Sequence, residues 1–110
     1  MDNMKNKKIN ILHWVDVENE LGETDHELQY LVQNVWAYYR HATTRETQLA
    51  IVAQTKVEAI FIINWRDDID TTCFIEYNGE KYQITDIDDF EGRKTDLKIT
   101  AHVDKEGQNE

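Results

Sequence analysis

A chain of 110 residues has room for one domain, large enough to bury roughly 65 % of the surface its unfolded form exposes. Its 22 acids against 12 bases leave a formal charge of -10, which argues against a partner held mainly through phosphates and against an anionic membrane surface. The single cysteine, Cys73, excludes an internal disulfide, and the longest apolar run, residues 59–63, is far too short to span a bilayer.

Residues 1–8 offer nothing to bury and read as a mobile tail, as do residues 104–110. The basic start, Lys5, Lys7 and Lys8, does not lead into the apolar core of a signal peptide, because Asn10 and His13 interrupt Ile9, Ile11 and Leu12. An intracellular product is therefore expected. Residues 9–14 alternate, with Ile9, Ile11 and His13 on one face and Asn10, Leu12 and Trp14 on the other, which predicts a first strand. Residues 15–26 are acidic and poor in apolar side chains, so they read as an exposed connection, a loose hairpin around Leu21-Gly22. In residues 28–40 both helical and strand spacings can be traced, but the β-branched and aromatic content from Val35 to Tyr39 favours a strand.

Thr43 followed by Glu46 has the spacing of a capping box, and residues 45–53 are good helix formers. Leu49, Ile51, Val52 and Ala53 give only part of an apolar stripe, so this helix is too weak to stand alone and settles only on packing. Residues 41–55 are accordingly expected to be the most adaptable part of the chain. They suit either a gating or contact segment, centred on His41, Thr43, Thr44, Arg45 and Glu46, or a fixed helix plugging one end of a barrel.

The central stretch is residues 57–88. Val57, Ala59, Phe61, Ile63 and Trp65 alternate with Glu58, Ile60, Ile62 and Asn64, a strand pattern buried on much of both faces. Asp67, Asp68, Ile69 and Asp70 end it at an acidic corner. Residues 73–77 and 80–87 flank Asn78-Gly79, a pair suited to a tight primed turn with positive φ at both positions. These three strands read as a meander. After a turn around Gly92, Leu97, Ile99, Ala101 and Val103 alternate in a last strand. The expected fold is mostly β: one small antiparallel β-barrel of five to seven strands with one short inserted helix. Phe61, Ile63, Ile75, Ile84, Leu97 and Ile99 share its core.

Each chemical constellation is weak. His13, His26, His41 and His102 are scattered, and no second cysteine joins them at metal spacing. Asp86, Asp88 and Glu91 start like a calcium loop, but Phe90 takes a ligand position and Glu91 that of the required glycine. The remaining acids, Asp67, Asp68, Asp70 and Asp89, fit turns as well as acid–base chemistry. Without a phosphate loop or nucleophile elbow, no enzyme, cofactor or metal is expected. Trp36, Tyr38 and Tyr39, near Arg40 and Arg45, suit a stacking platform for single-stranded nucleic acid on an OB-like barrel. The acidic field disfavours that reading, and those of the three that face outward are better taken as protein-interface anchors.

From residue 35 to 103 the chain resembles the small phage head-tail joining proteins, also called head closure, head completion or stopper proteins. Four pieces in order carry the resemblance: Val35-Trp36-Ala37-Tyr38-Tyr39-Arg40 with Thr44-Arg45-Glu46; the strand ending Asn64-Trp65-Arg66-Asp67; the hairpin from Ile75 through Asn78-Gly79 to Ile84; and Glu91-Gly92-Arg93 before the closing strand. Thr44 stands where the family usually has glycine. The resemblance implies a structural virion protein at the head-tail interface, assembled in the host cytoplasm. It implies a homo-oligomeric ring with the portal or adaptor ring above and a tail-completion protein below, with a related phage adaptor or tail-completion role as the alternative. The ring would close the channel through which DNA passes without specific binding. In isolation the chain is expected to be a monomer or weak oligomer, because like charge opposes packing identical subunits.

Overall fold

The computed structural model describes residues 4–103. In chain order the elements are β1 (Lys7–Glu18), β2 (Thr24–His41), α1 (Thr44–Val52), β3 (Ala59–Asn64), β4 (Phe74–Tyr77), β5 (Glu80–Asp88) and β6 (Asp96–Val103). The strands close into an antiparallel barrel in the order β1-β2-β3-β6-β5-β4, with β4 returning to β1.

Period-two alternation builds the interior. Ala37 lies opposite Ile63, Phe61 opposite Ile99, Ala59 opposite Ala101 and Ile11 opposite Ile75, so the inward residues of neighbouring strands meet in register. All six residues expected in the core are there, with Phe61, Ile63, Ile75 and Ile99 completely buried. Phe61 is ringed by Tyr39, Tyr77 and Tyr82, with ring centroids 5.3, 5.8 and 5.4 Å away. β3 is buried on both faces, as its pattern predicts, because α1 covers Ile60 outside while Tyr38 and Lys98 flank Ile62.

Two expectations about the chain path are corrected. The three central strands do not form a meander: β3 pairs with β2 and β6, whereas β4 pairs with β1 and β5. The acidic corner is thus a crossing between barrel positions, held by Arg66 on Asp68 and by Asp70 accepting from the Thr72 N–H. Residues 15–26 do form the hairpin expected around Leu21-Gly22, but as a paired ribbon and not as a loose connection. β1 and β2 stay paired from Trp14 opposite Leu28 to Glu18 opposite Thr24, and only residues 19–23 turn. The ribbon pairs despite its charge because no acid stands directly opposite another: Glu27 faces Val15, Asp16 faces His26, Asp25 faces Val17 and Glu18 faces Thr24.

β1 also starts earlier than expected, taking Lys7 and Lys8 out of the supposed tail; residues 1–3 and 104–110 of the two tails lie outside the described residues. A register jump between β1 and β2 sets Asn34 at φ 60°, its N–H donating to Asn10 Oδ1 at 2.9 Å. Asn10 and Tyr30 in turn both donate to Glu76 Oε1, at 2.8 and 2.9 Å, so the bulge is tied to β4.

Candidate functional site

The inserted segment begins where β2 ends. Thr43 caps α1: its hydroxyl accepts from the Glu46 N–H at 3.1 Å, and Glu46 accepts from the Thr43 N–H at 2.8 Å. This is the capping box that the spacing predicts. Glu46 does more than cap, since Arg40 donates to its two oxygens at 2.7 and 2.9 Å, and Lys98 on β6 approaches at 3.9 Å. The Arg40 guanidinium, aided by Thr43, pulls the Glu46 carboxyl from 4.5 down to about 2 against the opposing effect of burial.

The two ends of the insertion meet at its neck. The Ala42 N–H donates to the Glu58 carbonyl at 3.0 Å, beside the His41–Ala59 pair. Thr85, displaced by a bulge in β5, donates to the Lys56 carbonyl at 3.0 Å. The insertion is therefore fastened at its neck and through Glu46. Its helix is otherwise lightly seated: Ala50 is its one buried residue, and a cleft of about 520 Å³ opens between Leu49, Val57, Ile60 and Thr100. Leu49, Ile51 and Val52 are 58, 67 and 82 % exposed. Because α1 covers the outward-facing Ile60, it lies against the barrel wall; it does not plug the interior.

The sequence-predicted residues are not gathered at one place. His41, Thr43, Thr44, Arg45 and Glu46 share the neck and first turn of α1. The three aromatics divide by strand alternation. Trp36 points outward, 52 % exposed, with Lys8 Nζ 4.9 Å above its ring, and Tyr38 is half-buried on the same face. Tyr39 turns inward against Phe61 and Tyr77 and hydrogen-bonds His41 only at its rim, so it belongs to the core and not to an outer surface. Asn78 and Gly79 form the two-residue turn between β4 and β5, with φ of 53° and 81°.

The acids of the loops serve the loops. Asp88 and Asp89 accept from the N–H groups of Phe90 and Gly92. Arg66 lowers the Asp68 carboxyl, and burial raises the Cys73 thiol. Among the described residues no three His, Cys, Asp or Glu side chains converge as a metal site would need, and no helix is long and apolar enough to cross a membrane. The described surface presents an apolar helix edge at Leu49, Ile51 and Val52, an outward Trp36 and a long acidic ribbon.

Sequence reasoning missed two features. The Arg40–Glu46 pair joins a strand end to a helix start, a spacing with no periodic signature. The ribbon was obscured by its acids, although Val15-Asp16-Val17-Glu18 does alternate.

The fold has known counterparts. The solution structure of protein SF1141 from Shigella flexneri 2a is similar over 94 % of this chain and 96 % of that one, with a TM-score of 0.78 and 18 % identity. A chain from the virion of a native gene transfer agent particle is similar over 87 % of this chain and 91 % of that one, with a TM-score of 0.53 and 11 % identity. At these identities the likeness is one of fold. No curated protein matches the chain. A family model described as phage head completion protein matches residues 5–105, nearly the whole length, and by that match the chain belongs to the phage head completion protein family.

Proposed function

We propose that the protein is a structural part of the phage head-tail connector, a non-enzymatic barrel that assembles as a ring beneath the portal or its adaptor. The ring closes the DNA channel after packaging and presents a docking face to the tail-completion protein. The observation that carries this reading is the family match over residues 5–105. The charge of -10 agrees with it, since an acidic conduit does not grip the phosphates it must let pass.

Within the ring, residues 41–55 make the contact between subunits or gate the channel. The support is physical. Leu49, Ile51 and Val52 are exposed on a helix that is fastened at its neck and at Glu46, an apolar edge that a neighbouring subunit would cover. Trp36 is the second anchor, at the outer face of β2. The free subunit is a monomer or weak oligomer, and the portal complex templates the ring.

The test is to measure the purified chain by light scattering alone and with the portal complex, and to assay filled heads made without it. A monomer alone, a ring only on the portal, and heads that lose DNA or reject tails are expected. A salt-insensitive ring formed alone at low concentration contradicts the templating, and heads that stay filled and accept tails without the protein overturn the function.

A further inference from the structure

β4 stops at Phe74, opposite Leu12, while β1 continues to Glu18. Beyond Leu12, therefore, the side of β1 that faces β4 has no strand beside it among the described residues. β2 likewise pairs with β3 only from Ala37 onward. Among the described residues, the ribbon formed by residues 13–18 and 24–29 thus stands as two strands with both outer edges open, outside a barrel whose wall is closed. Two strands alone are marginal in water, and open edges accept further strands.

The side chains say what kind of strand. Trp14 lies opposite Leu28 on one ribbon face, 49 % exposed, with only an edge contact to Phe74 at 6.0 Å. With His26 and Thr72 it lines an open cleft of about 450 Å³. Thr72 comes just before β4, so the cleft adjoins the unfilled row. Asp16 and Glu18 follow Trp14 on the same face of β1, Glu20 and Glu23 lie at the turn, Asp25 and Glu27 lie on the opposite face, and residues 13–29 contain no Lys or Arg. His26 Nδ1 lies 2.6 Å from Asp16 Oδ1.

A second copy is a poor occupant, because each copy carries a formal charge of -10 and its strands are already paired within its own closed barrel. Nucleic acid is repelled by the same six carboxylates.

We propose that the β1–β2 ribbon is a docking arm for a partner protein that supplies an extended cationic segment. That segment adds as a strand to the β1 edge over residues 13–18, with an apolar side chain against Trp14 and Lys or Arg on the flanking acids. The inference rests on the connector reading only in taking the partner to be another protein of the particle. The experiment below tests the surface itself, so its failure leaves the head-filling assay untouched, and the reverse holds too.

The isotope-labelled full chain is titrated with a short synthetic peptide that places one valine and two lysines at alternate positions, with threonines between, so that all three share one strand face as Trp14, Asp16 and Glu18 do, and followed by NMR. Saturable, salt-weakened binding is expected, with amide exchange slowed along residues 13–18. Trp14→Ala should weaken it by roughly tenfold or more, as truncating an interface anchor does, and Trp14→Phe should restore most of it. Reversing charge with Asp16→Lys and Glu18→Lys together should abolish it, while the unfolding midpoint, set by the barrel, stays in place. A peptide N-methylated at alternate residues should bind weakly, because it cannot complete the ladder. Equal binding of the methylated peptide reduces the contact to charge and overturns strand addition. Equal binding of the same peptide with glutamate in place of lysine, perturbation confined to other surfaces, or self-association of the chain through the ribbon overturns the docking arm.

Discussion

Arg40 closes the end of β2 onto the first turn of α1 by holding both carboxylate oxygens of Glu46, at 2.7 and 2.9 Å. The pairing makes the inserted helix sensitive to acid. Because the Glu46 carboxyl is lowered in the folded state, it stabilises the helix at pH values above its unfolded pKa, and that contribution is lost as pH falls from about 4.5 to about 2. NMR shifts of residues 44–52 should move towards coil values across that window while barrel shifts hold. Glu46→Gln should produce the same local loosening at neutral pH, at a cost of about 1–2 kcal/mol from the weakened pair and cap.

The Asn78-Gly79 turn tests conformation without contact. A Cβ on Gly79 would meet nothing within 4 Å, so any penalty for a side chain there comes from its φ of 81°. Gly79→Val should cost about 1 kcal/mol or more, and Gly79→Asn clearly less, because asparagine tolerates the left-handed region. Urea unfolding midpoints of the two variants check the ordering.

Phe61 tests the core. It is completely buried and touches three tyrosine rings, so Phe61→Ala should destabilise the domain by about 3–5 kcal/mol. A small domain has roughly 5–15 kcal/mol in total. Urea or calorimetric unfolding should show the variant close to the limit of stability, whereas Trp36→Ala, on the outer face, should lie within about 0.5 kcal/mol of the parent.

The insertion can be removed without opening the wall. The Ala42–Glu58 bond and the His41–Ala59 pair close its neck, so deleting residues 44–56 and bridging with a short Gly/Ser link should leave a folded barrel by circular dichroism. Filled heads supplied with that variant should leak DNA or fail to accept tails. An unfolded variant would make the helix a structural support of β3 through Ile60, and fully infectious particles would remove residues 41–55 from the function.

How much of this was legible in the sequence depended on whether a signal was local. The Thr43–Glu46 box, the Asn78-Gly79 turn and the alternation of Ala59, Phe61 and Ile63 are decided within a few residues, and each is found where the pattern puts it. Strand neighbourhood is not local. Nothing in residues 65–73 says that β4 will leave β3 for β1, because that choice depends on closing a six-stranded wall with registers shared by distant strands. Acidity misled in residues 15–26, where solvent-facing acids are as compatible with a projecting ribbon as with a loop. The candidate contact residues at 43–46 were readable from their cap, but their anchoring to Arg40 and Lys98 required the barrel to bring three elements together.

The Asn34 bulge has a mechanical consequence. It lies in the wall just below the ribbon, and from Leu12, the last β1 residue paired with β4, to Glu18 the strand reaches about 20 Å at its usual rise per residue. A tilt of about 15° at that root would carry the ribbon's end about 5 Å, one spacing between neighbouring strands. The hydrogen bonds from Asn34 to Asn10, and from Asn10 and Tyr30 to Glu76, therefore act as the bracket of a lever. Three polar side chains and one backbone amide at the root decide where the far end points.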